Sequence, residues 1–182
     1  EEEDDESLRE RLLEAYHRPS NGVNSGFYEQ EALKHDQVYS VSVVPRARGN
    51  GTVDIYISTL QGDPSTQLLE ELQEEFNLQK EINVDIQVKA PERVEVEIVA
   101  YVKTVEGYDR NAVVKECKER IQECFSKKKI GENLYLAQIG DVIFHTPGVE
   151  NYLFETDLSS DTTVDRTSLV KLKSCTLPEM EV

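Results

Sequence analysis

Apolar residues recur at every second position in two stretches of the first half of the chain. The first stretch runs from Val38 to Val44 and the second from Thr52 to Thr59, and this period predicts two strands. Residues 45–51 lie between them and are rich in residues that favour turns. The pattern therefore predicts a β-hairpin whose connector carries two arginines.

A helical period replaces the strand period after the hairpin. Four apolar residues lie at helical spacing, namely Leu68, Leu69, Leu72 and Phe76. Asp63 and Pro64 predict the N-cap and the first residue of this helix. A third strand is then predicted by three alternating apolar residues, Val84, Ile86 and Val88.

The residues before the hairpin predict a helical lead-in over residues 1–36. Ser7 and Glu10 form a capping box ahead of an apolar stripe, and Asn24 or Ser25 predicts the cap of a second short helix. The stripe of the first helix consists of Leu8, Leu12, Ala15 and Tyr16. The chain starts in an acidic run without an initiator Met, so we expect that an upstream region precedes it.

Ala90-Pro91 marks the predicted boundary between two subdomains. Beyond it five apolar residues alternate along a long strand: Val94, Val96, Ile98, Ala100 and Val102. Asp109 then predicts the cap of a helix that carries Val113, Cys117, Ile121, Cys124 and Phe125 at helical spacing. We expect strand and helix to share one core, formed by Val94, Val96, Ile98, Cys117, Ile121 and Phe125.

The last third of the chain predicts one more helix and two strands. The helix ends before Pro147 and carries four apolar residues, Leu136, Ile139, Val142 and Ile143. Strands are predicted at residues 149–155 and 168–174, with an exposed loop at residues 156–166 between them. The tail from residue 178 onward shows no pattern.

The alternation of strand and helix periods predicts an α+β fold. A helical lead-in precedes two strand–helix–strand subdomains, at residues 37–90 and 91–182, and the second includes the C-terminal strand. We expect mostly antiparallel or mixed sheets. Each unit is too small to bury both faces of its sheet unaided, so we expect the two subdomains to pack together.

The charge of the chain narrows the classes of partner. The sequence has 36 acidic residues against 20 lysines and arginines, which gives a formal net charge of -16. Such a field repels nucleic-acid backbones and anionic lipid surfaces. No apolar run approaches the roughly 20 residues of a membrane helix, and no segment resembles a signal peptide. Three cysteines without metal-binding spacing favour a reducing compartment, the cytoplasm.

Residue spacing offers no candidate for catalysis, for metal binding or for a cofactor. The three histidines have no partners at the spacing of a metal site. The carboxylates around Glu70 and Glu74 lie opposite the apolar stripe of their helix, where a solvated face explains them. Gly49-Asn50-Gly51 beside two arginines could cradle an anion, but it joins two strands and so favours a hairpin turn. We therefore expect a protein that is not an enzyme.

A series of short motifs runs along the chain in a distinctive order. In the first half they are Glu6 to Leu13, Pro19, Asn21 to Asn24, Phe27-Tyr28, Val43 to Arg46, Gly49 to Val53 and Ala90-Pro91. In the second half they are Gly107 to Asp109, Ile130-Gly131, Leu134 to Leu136, Ile139, Ile143 and Pro147 to Tyr152. By their order and spacing the chain resembles the baseplate J-like family of phages and phage-derived contractile injection systems, over nearly its whole length. Members of that family usually carry an N-terminal domain, and from the resemblance we expect this sequence to be the part that follows it.

The resemblance implies a structural protein without an active site. It implies a wedge component of a contractile-tail baseplate, which joins neighbouring subunits into a ring and rearranges when the sheath contracts. The partners expected from the resemblance are other baseplate wedge and tail proteins and neighbouring copies of the chain, with no nucleic acid and no membrane span. The expected location is the virion tail baseplate, after assembly in the cytoplasm of a bacterial host.

A few basic residues stand out from this acidic chain as candidate protein-interaction residues, namely Arg46, Arg48, Lys127, Lys128 and Lys129. The alternative is that the lysines only cap a helix and the arginines only solvate a turn. The function also has alternatives, a small α+β enzyme or a binding domain without a recognisable motif. A binder of single-stranded nucleic acid would need a basic groove with stacked aromatic residues, whereas the long strand presents Glu95 and Glu97.

Overall fold

The structure is a computed structural model, and it describes residue 9 and residues 24–60, 63–155 and 160–180. Beyond Arg9, the described residues form four helices and six strands in an α+β fold, as predicted. The elements are α1 (Ser25–Ala32), β1 (Ser40–Pro45), β2 (Thr52–Ser58), α2 (Thr66–Gln79), β3 (Asp85–Lys89), β4 (Glu92–Thr104), α3 (Arg110–Ser126), α4 (Leu136–Phe144), β5 (Val149–Phe154) and β6 (Ser168–Thr176). The first predicted helix, at residues 7–16, lies outside the described residues apart from Arg9.

The strands form two three-stranded mixed sheets. The first sheet has the order β1-β2-β3, in which β1 and β2 are antiparallel and β3 runs parallel to β2. The second sheet has the order β5-β4-β6, in which β5 is antiparallel and β6 parallel to β4. The mixed sheets agree with the predicted fold class. The first sheet ends at Lys89 and the second begins at Glu92, whereas the division of the chain into subdomains at Pro91 stays a prediction.

The first sheet shares an apolar core with α1 and α2. The buried residues of this core are Tyr28, Ala32, Val38, Val43, Ile55, Ile57, Leu68, Leu72, Phe76 and Ile86. The rings of Tyr28 and Phe76 meet edge to face, with centroids 5.4 Å apart. The predicted stripe of α2 and the predicted alternation of β2 therefore face each other across one core.

Helix α2 begins two residues later than the sequence indicates. Ser65 is its N-cap, and its hydroxyl oxygen accepts a hydrogen bond from the backbone N–H of Leu68 at 3.2 Å. The prediction of Asp63 as the N-cap is wrong, because its carboxylate instead accepts a hydrogen bond from Nε of Arg93 at 3.1 Å. This ion pair joins the first half of the chain to β4.

The second sheet packs its helix-facing side against α3 and α4. Ile98 of β4 and Ile121 of α3 are both fully buried in this core, together with Cys117 and Phe125, as predicted. Val94 is an exception, since it is half-buried and lies outside the core cluster. The physical reason is length. At about 3.3 Å per residue β4 spans about 43 Å, whereas α3 spans about 25 Å at 1.5 Å per residue, so the helix leaves one end of the strand uncovered.

The tail after β6 continues beside β4, which the sequence did not indicate. The backbone N–H of Val102 donates to the carbonyl of Pro178 at 2.9 Å, and the N–H of Met180 donates to the carbonyl of Val102 at 3.4 Å. Leu177 is buried in the second core. Pro178 interrupts the short alternation of apolar and polar residues in the tail. The hydrophobic pattern therefore does not predict this strand-like pairing.

Side chains satisfy hydrogen-bonding groups on two edge strands. On β3, the amide of Gln73 donates from Nε2 to the carbonyl of Ile86 at 3.0 Å and accepts at Oε1 from the N–H of Val88 at 2.8 Å. On β5, Oδ1 of Asn151 accepts a hydrogen bond from the N–H of Tyr152 at 2.9 Å. Tyr152 pairs with Val102, whose backbone groups both bond to the tail, so the Tyr152 N–H points toward the outer edge of the sheet.

Replacing Ile121 by Ala should lower the free energy of unfolding by about 2 to 5 kcal/mol, because it leaves a cavity between α3 and β4. The matched control is Ile82→Ala, since the Ile82 side chain is 100% exposed and its loss should change stability little. Urea unfolding followed by circular dichroism measures both variants. Equal stabilities for the two variants would contradict the assignment of Ile121 to the core.

Candidate interaction surface

The connector of the first hairpin, residues 45–51, forms an exposed tip with a fixed backbone. Every residue of the tip is exposed. The N–H of Arg46 donates to the carbonyl of Thr52 at 2.7 Å, and the N–H of Gly49 donates to the carbonyl of Arg46 at 3.2 Å. Arg46 has a φ of 61°, a left-handed conformation that is uncommon for residues with a Cβ. The surrounding hydrogen bonds hold this conformation, so the tip is a defined shape.

Arg48 points back from the tip onto the first sheet. Its Nε donates to Oδ1 of Asp54 at 2.7 Å, and its guanidinium also binds the carboxylate of Asp85. Nζ of Lys89 donates to the other oxygen of Asp54 at 2.5 Å. Burial acts to raise the pKa of the Asp54 carboxyl, but the hydrogen bonds from Lys89 and Arg48 outweigh it and hold that pKa below its ordinary value. Arg48 therefore braces the hairpin from within.

Arg46 and Arg48, predicted together as interaction residues, have different roles in the structure. Among the described residues no carboxylate lies at ion-pair distance from Arg46, whereas Arg48 binds two. The charge of Arg46 is therefore available to a partner. That of Arg48 is already neutralised by its own chain.

The three candidate lysines at the end of α3 also differ in exposure. Lys127 is exposed and its Nζ donates to Glu123 at 2.7 Å, and Lys129 is exposed. Lys128 is only 4% exposed, and its Nζ donates to Oε1 of Glu132, to the carbonyl of Asn133 and to Oε1 of Gln138. With three acceptors its ammonium is fully satisfied. Lys128 was predicted as a protein-interaction residue, but its side chain is buried among these acceptors and is not accessible to a partner.

The lysines and the hairpin tip lie at opposite ends of β1. The hydroxyl of Tyr39, just before β1, donates to the carbonyl of Lys127 at 2.9 Å. The N–H of Ile130 donates to the hydroxyl oxygen of Ser40, the first residue of β1, at 3.1 Å. The end of α3 thus contacts the start of β1, whereas Arg46 follows its last residue. The structure does not bring the two predicted basic groups together.

A groove that the sequence did not indicate runs between α4 and β5. It has a volume of about 660 Å³, is open to solvent and is lined by Ala137, Gly140, Asp141, Phe144, Asn151, Tyr152, Leu153 and Phe154. Three rings line one side edge to face, with centroid distances of 6.4 Å from Phe144 to Tyr152 and 5.3 Å from Tyr152 to Phe154. Little in the sequence indicated this groove, since Phe144 lies one position beyond the apolar stripe of α4.

Gly140 allows Tyr152 to lie against α4. A Cβ at position 140 would lie 2.2 Å from the hydroxyl oxygen of Tyr152, which is too close for any side chain. The glycine thus sets the depth of the groove. Phe144 remains 54% exposed at its rim, and an exposed aromatic ring of this kind is typical of protein interfaces.

The described residues hold no group of three or more His, Cys, Asp or Glu side chains that could bind a metal ion. Burial raises the pKa of the thiols of Cys117, Cys124 and Cys175, which disfavours the reactive thiolate. No helix in the described part of the chain is both long and apolar enough to cross a membrane.

Protein-family models match most of the chain. The model described as "Baseplate J-like central domain" matches residues 20–107, and the model described as "Baseplate J-like protein C-terminal domain" matches residues 96–177. Together they span residues 20–177, and they overlap at residues 96–107, which include most of β4. The second match ends beside the tail that follows β6.

Two curated proteins of Bacillus subtilis (strain 168) are similar to the chain. The uncharacterized protein YqbT is 29% identical over 161 residues, which cover 84% of this chain and 46% of that protein. The phage-like element PBSX protein XkdT is 27% identical over 161 residues, with the same coverage of each chain. The chain therefore spans about half the length of the curated relatives it matches.

A solved structure shares the fold. It is the cryo-EM structure of the anti-feeding prophage baseplate, 6-fold symmetrised, in which one chain matches with a TM-score of 0.59. The match covers 93% of this chain and 42% of that chain at 10% sequence identity. At this identity the likeness shows the fold alone.

Replacing Asp54 by Asn tests the charge of the buried carboxylate. Because the folded pKa of Asp54 lies below its ordinary value of about 4, its contribution to stability is complete above that value and is lost as the pH falls through the folded pKa. The wild type should therefore be more stable than Asp54→Asn at neutral pH, and the difference should shrink below about pH 4.

Urea unfolding at a series of pH values measures this difference, with Asp36→Asn, a change at an exposed aspartate, as the control. A difference that stays constant from neutral pH to about pH 3 would show that the ionised Asp54 contributes nothing.

Proposed function

The chain belongs to the baseplate J-like family, and from this we infer that it is a structural component of a phage-type contractile-tail baseplate. In this proposal it is a wedge protein that joins neighbouring subunits during tail assembly. The observation that carries the proposal is the match of both family domains, in order, over residues 20–177. The fold shared with a chain of a prophage baseplate supports it.

The surface of the described residues suits contacts with proteins better than chemistry. Its distinctive features are a rigid basic tip and an open aromatic groove, and the half-buried or buried thiols have raised pKa values that suppress their reactivity. The partners proposed are other wedge and tail proteins and neighbouring copies of the chain. The proposed location is the tail baseplate of the particle, after assembly in the cytoplasm of the host bacterium.

Among the five candidate interaction residues, Arg46 is the strongest candidate for a partner contact. Lys127 and Lys129 are exposed, but they lie beside the contact between the end of α3 and the start of β1. In that contact Tyr39 binds the carbonyl of Lys127, and Ile130 binds Ser40. Arg48 and Lys128 have their charges satisfied within the chain. The tip residue Arg46 is exposed and has no ion-pair partner among the described residues.

Deleting the gene of the parent protein from a producing bacterium should abolish complete tails, because a ring of wedges cannot close without one of its components. Electron microscopy of the lysate counts the particles, and a plasmid copy of the wild-type gene should restore them. Complete contractile tails from the deletion strain would overturn the proposed function.

Replacing Arg46 by Ser in the parent protein should reduce the number of assembled particles and leave the melting temperature of the protein nearly unchanged, because Arg46 makes no ion pair with the described residues of its own chain. The matched control is Lys118→Ser, which removes an exposed charge from α3. Arg48→Ser should instead lower the melting temperature, since it leaves the buried Asp54 with one cation fewer. A normal particle yield from Arg46→Ser would remove the tip from the interface.

A further inference from the structure

The groove between α4 and β5 combines exposed aromatic surface with negative charge. Phe144 is 54% exposed at its rim and contacts the ring of Tyr152. The Asp141 side chain lines the same groove and is 71% exposed. Its ion-pair partner is His145, which is charged only if protonated. The groove therefore offers an aromatic face beside a carboxylate whose ion-pair partner among the described residues is a histidine and not a lysine or arginine.

An arginine flanked by small apolar residues is the chemistry that fits such a groove. A guanidinium can stack on an aromatic ring and at the same time bind a carboxylate with its N–H groups. The aliphatic flanks of such an arginine would cover the remaining apolar surface. The hairpin tip carries this combination, with Arg46 between Pro45 and Ala47.

The backbone of the tip is preorganised for such a contact. Its backbone hydrogen bonds and the brace from Arg48 fix its shape, so little conformational entropy is lost when it binds. The left-handed φ of Arg46 is consistent with a conformation that the surrounding structure imposes. Lys127 and Lys129 offer no such arrangement, because they lie beside the contact of α3 with β1.

The course of β1 places the tip away from the second half of its own chain. Ser40 at the start of β1 contacts Ile130, and Pro45 at its end leads into the tip. Five residues at about 3.3 Å each separate that contact from the tip by about 17 Å. The exposed tip is therefore accessible to another molecule.

We propose that the groove between α4 and β5 receives the Arg46 tip of a second copy of this chain. The contact joins one surface of a copy to a different surface of the next, the head-to-tail geometry from which rings are built. It rests on the proposed function, because a repeated assembly is what brings copies of the chain together.

Net charge limits the strength of this contact without preventing it. A formal charge of -16 makes separate copies repel each other. At physiological ionic strength charges more than about 8 Å apart are largely screened, so the local attraction of Arg46 and Asp141 dominates at the contact. Within an assembled particle the effective concentration of neighbouring copies is high, and a weak contact is sufficient.

A charge exchange in the parent protein tests the pairing. Arg46→Glu and Asp141→Arg each place like charges at the contact, and each should lower the yield of particles by about tenfold or more. The variant that carries both changes restores opposite charges at every contact, so its yield should return close to that of the wild type. The matched control is Lys118→Glu, which makes the same charge change as Arg46→Glu on an exposed position of α3 and should leave the yield unchanged.

The outcomes separate this proposal from the proposed function. Rescue by the double variant supports the contact between copies. Two defective single variants without rescue would show that the tip and the groove meet different partners, and normal single variants would show that neither surface is used. Either result overturns this proposal and leaves the family role intact, whereas complete tails from the deletion strain overturn the role itself.

Photochemical cross-linking in assembled particles gives a second measurement that does not depend on charge. A photoreactive phenylalanine derivative at position 144 should cross-link to a peptide that contains residues 45–47. Particles built from a mixture of isotopically labelled and unlabelled protein should yield cross-linked peptides that combine both forms, which places the partners in different copies. Cross-links confined to other proteins, or to other regions of this chain, would overturn the proposal.

Discussion

Strand β4 is hydrogen-bonded along both of its edges, and the second half of the structure depends on this double pairing. One edge binds β5, and the other binds β6 and then the tail. Its helix-facing residues, among them Ile98 and Val102, supply the centre of the core against which α3 and α4 pack. Arg93 near its start binds Asp63 of the first half. One strand thus fixes the second sheet, its core and one of the links to the first sheet.

The buried carboxylate of Asp54 determines which arginine of the hairpin faces solvent. A carboxylate removed from water needs charged hydrogen-bond donors, and Arg48 and Lys89 provide them. The guanidinium of Arg48 is therefore bound to the first sheet. Arg46, two positions earlier in the turn, makes no ion pair with the described residues and stays exposed. A single internal ion-pair cluster in this way both stiffens the tip and selects the residue that it displays.

The hydrophobic period was sufficient to predict the helices and strands of the described residues from Ser25 onward, because each period reports which face of a helix or strand is buried. It could not decide between neighbouring polar residues. In Asp63-Pro64-Ser65 both polar residues can cap a helix, and in the structure Ser65 is the cap while Asp63 binds the distant Arg93. Lys128 resembles any lysine at a helix end, and its burial depends on acceptors that follow in the next turn and helix. The aromatic groove could not be predicted for a similar reason, since α4 and β5 meet only through tertiary packing.

The side-chain amides of Gln73 and Asn151 have a consequence for how the molecule behaves when crowded. An open sheet edge is a template onto which another strand can add without limit, which leads to fibrous aggregates. Gln73 occupies the carbonyl of Ile86 and the N–H of Val88 on β3, and Asn151 occupies an outward N–H of β5. These side chains compete with an added strand at both edges, so identical neighbours are favoured to meet through side chains, which fix an angle, rather than through backbone pairing, which would extend indefinitely.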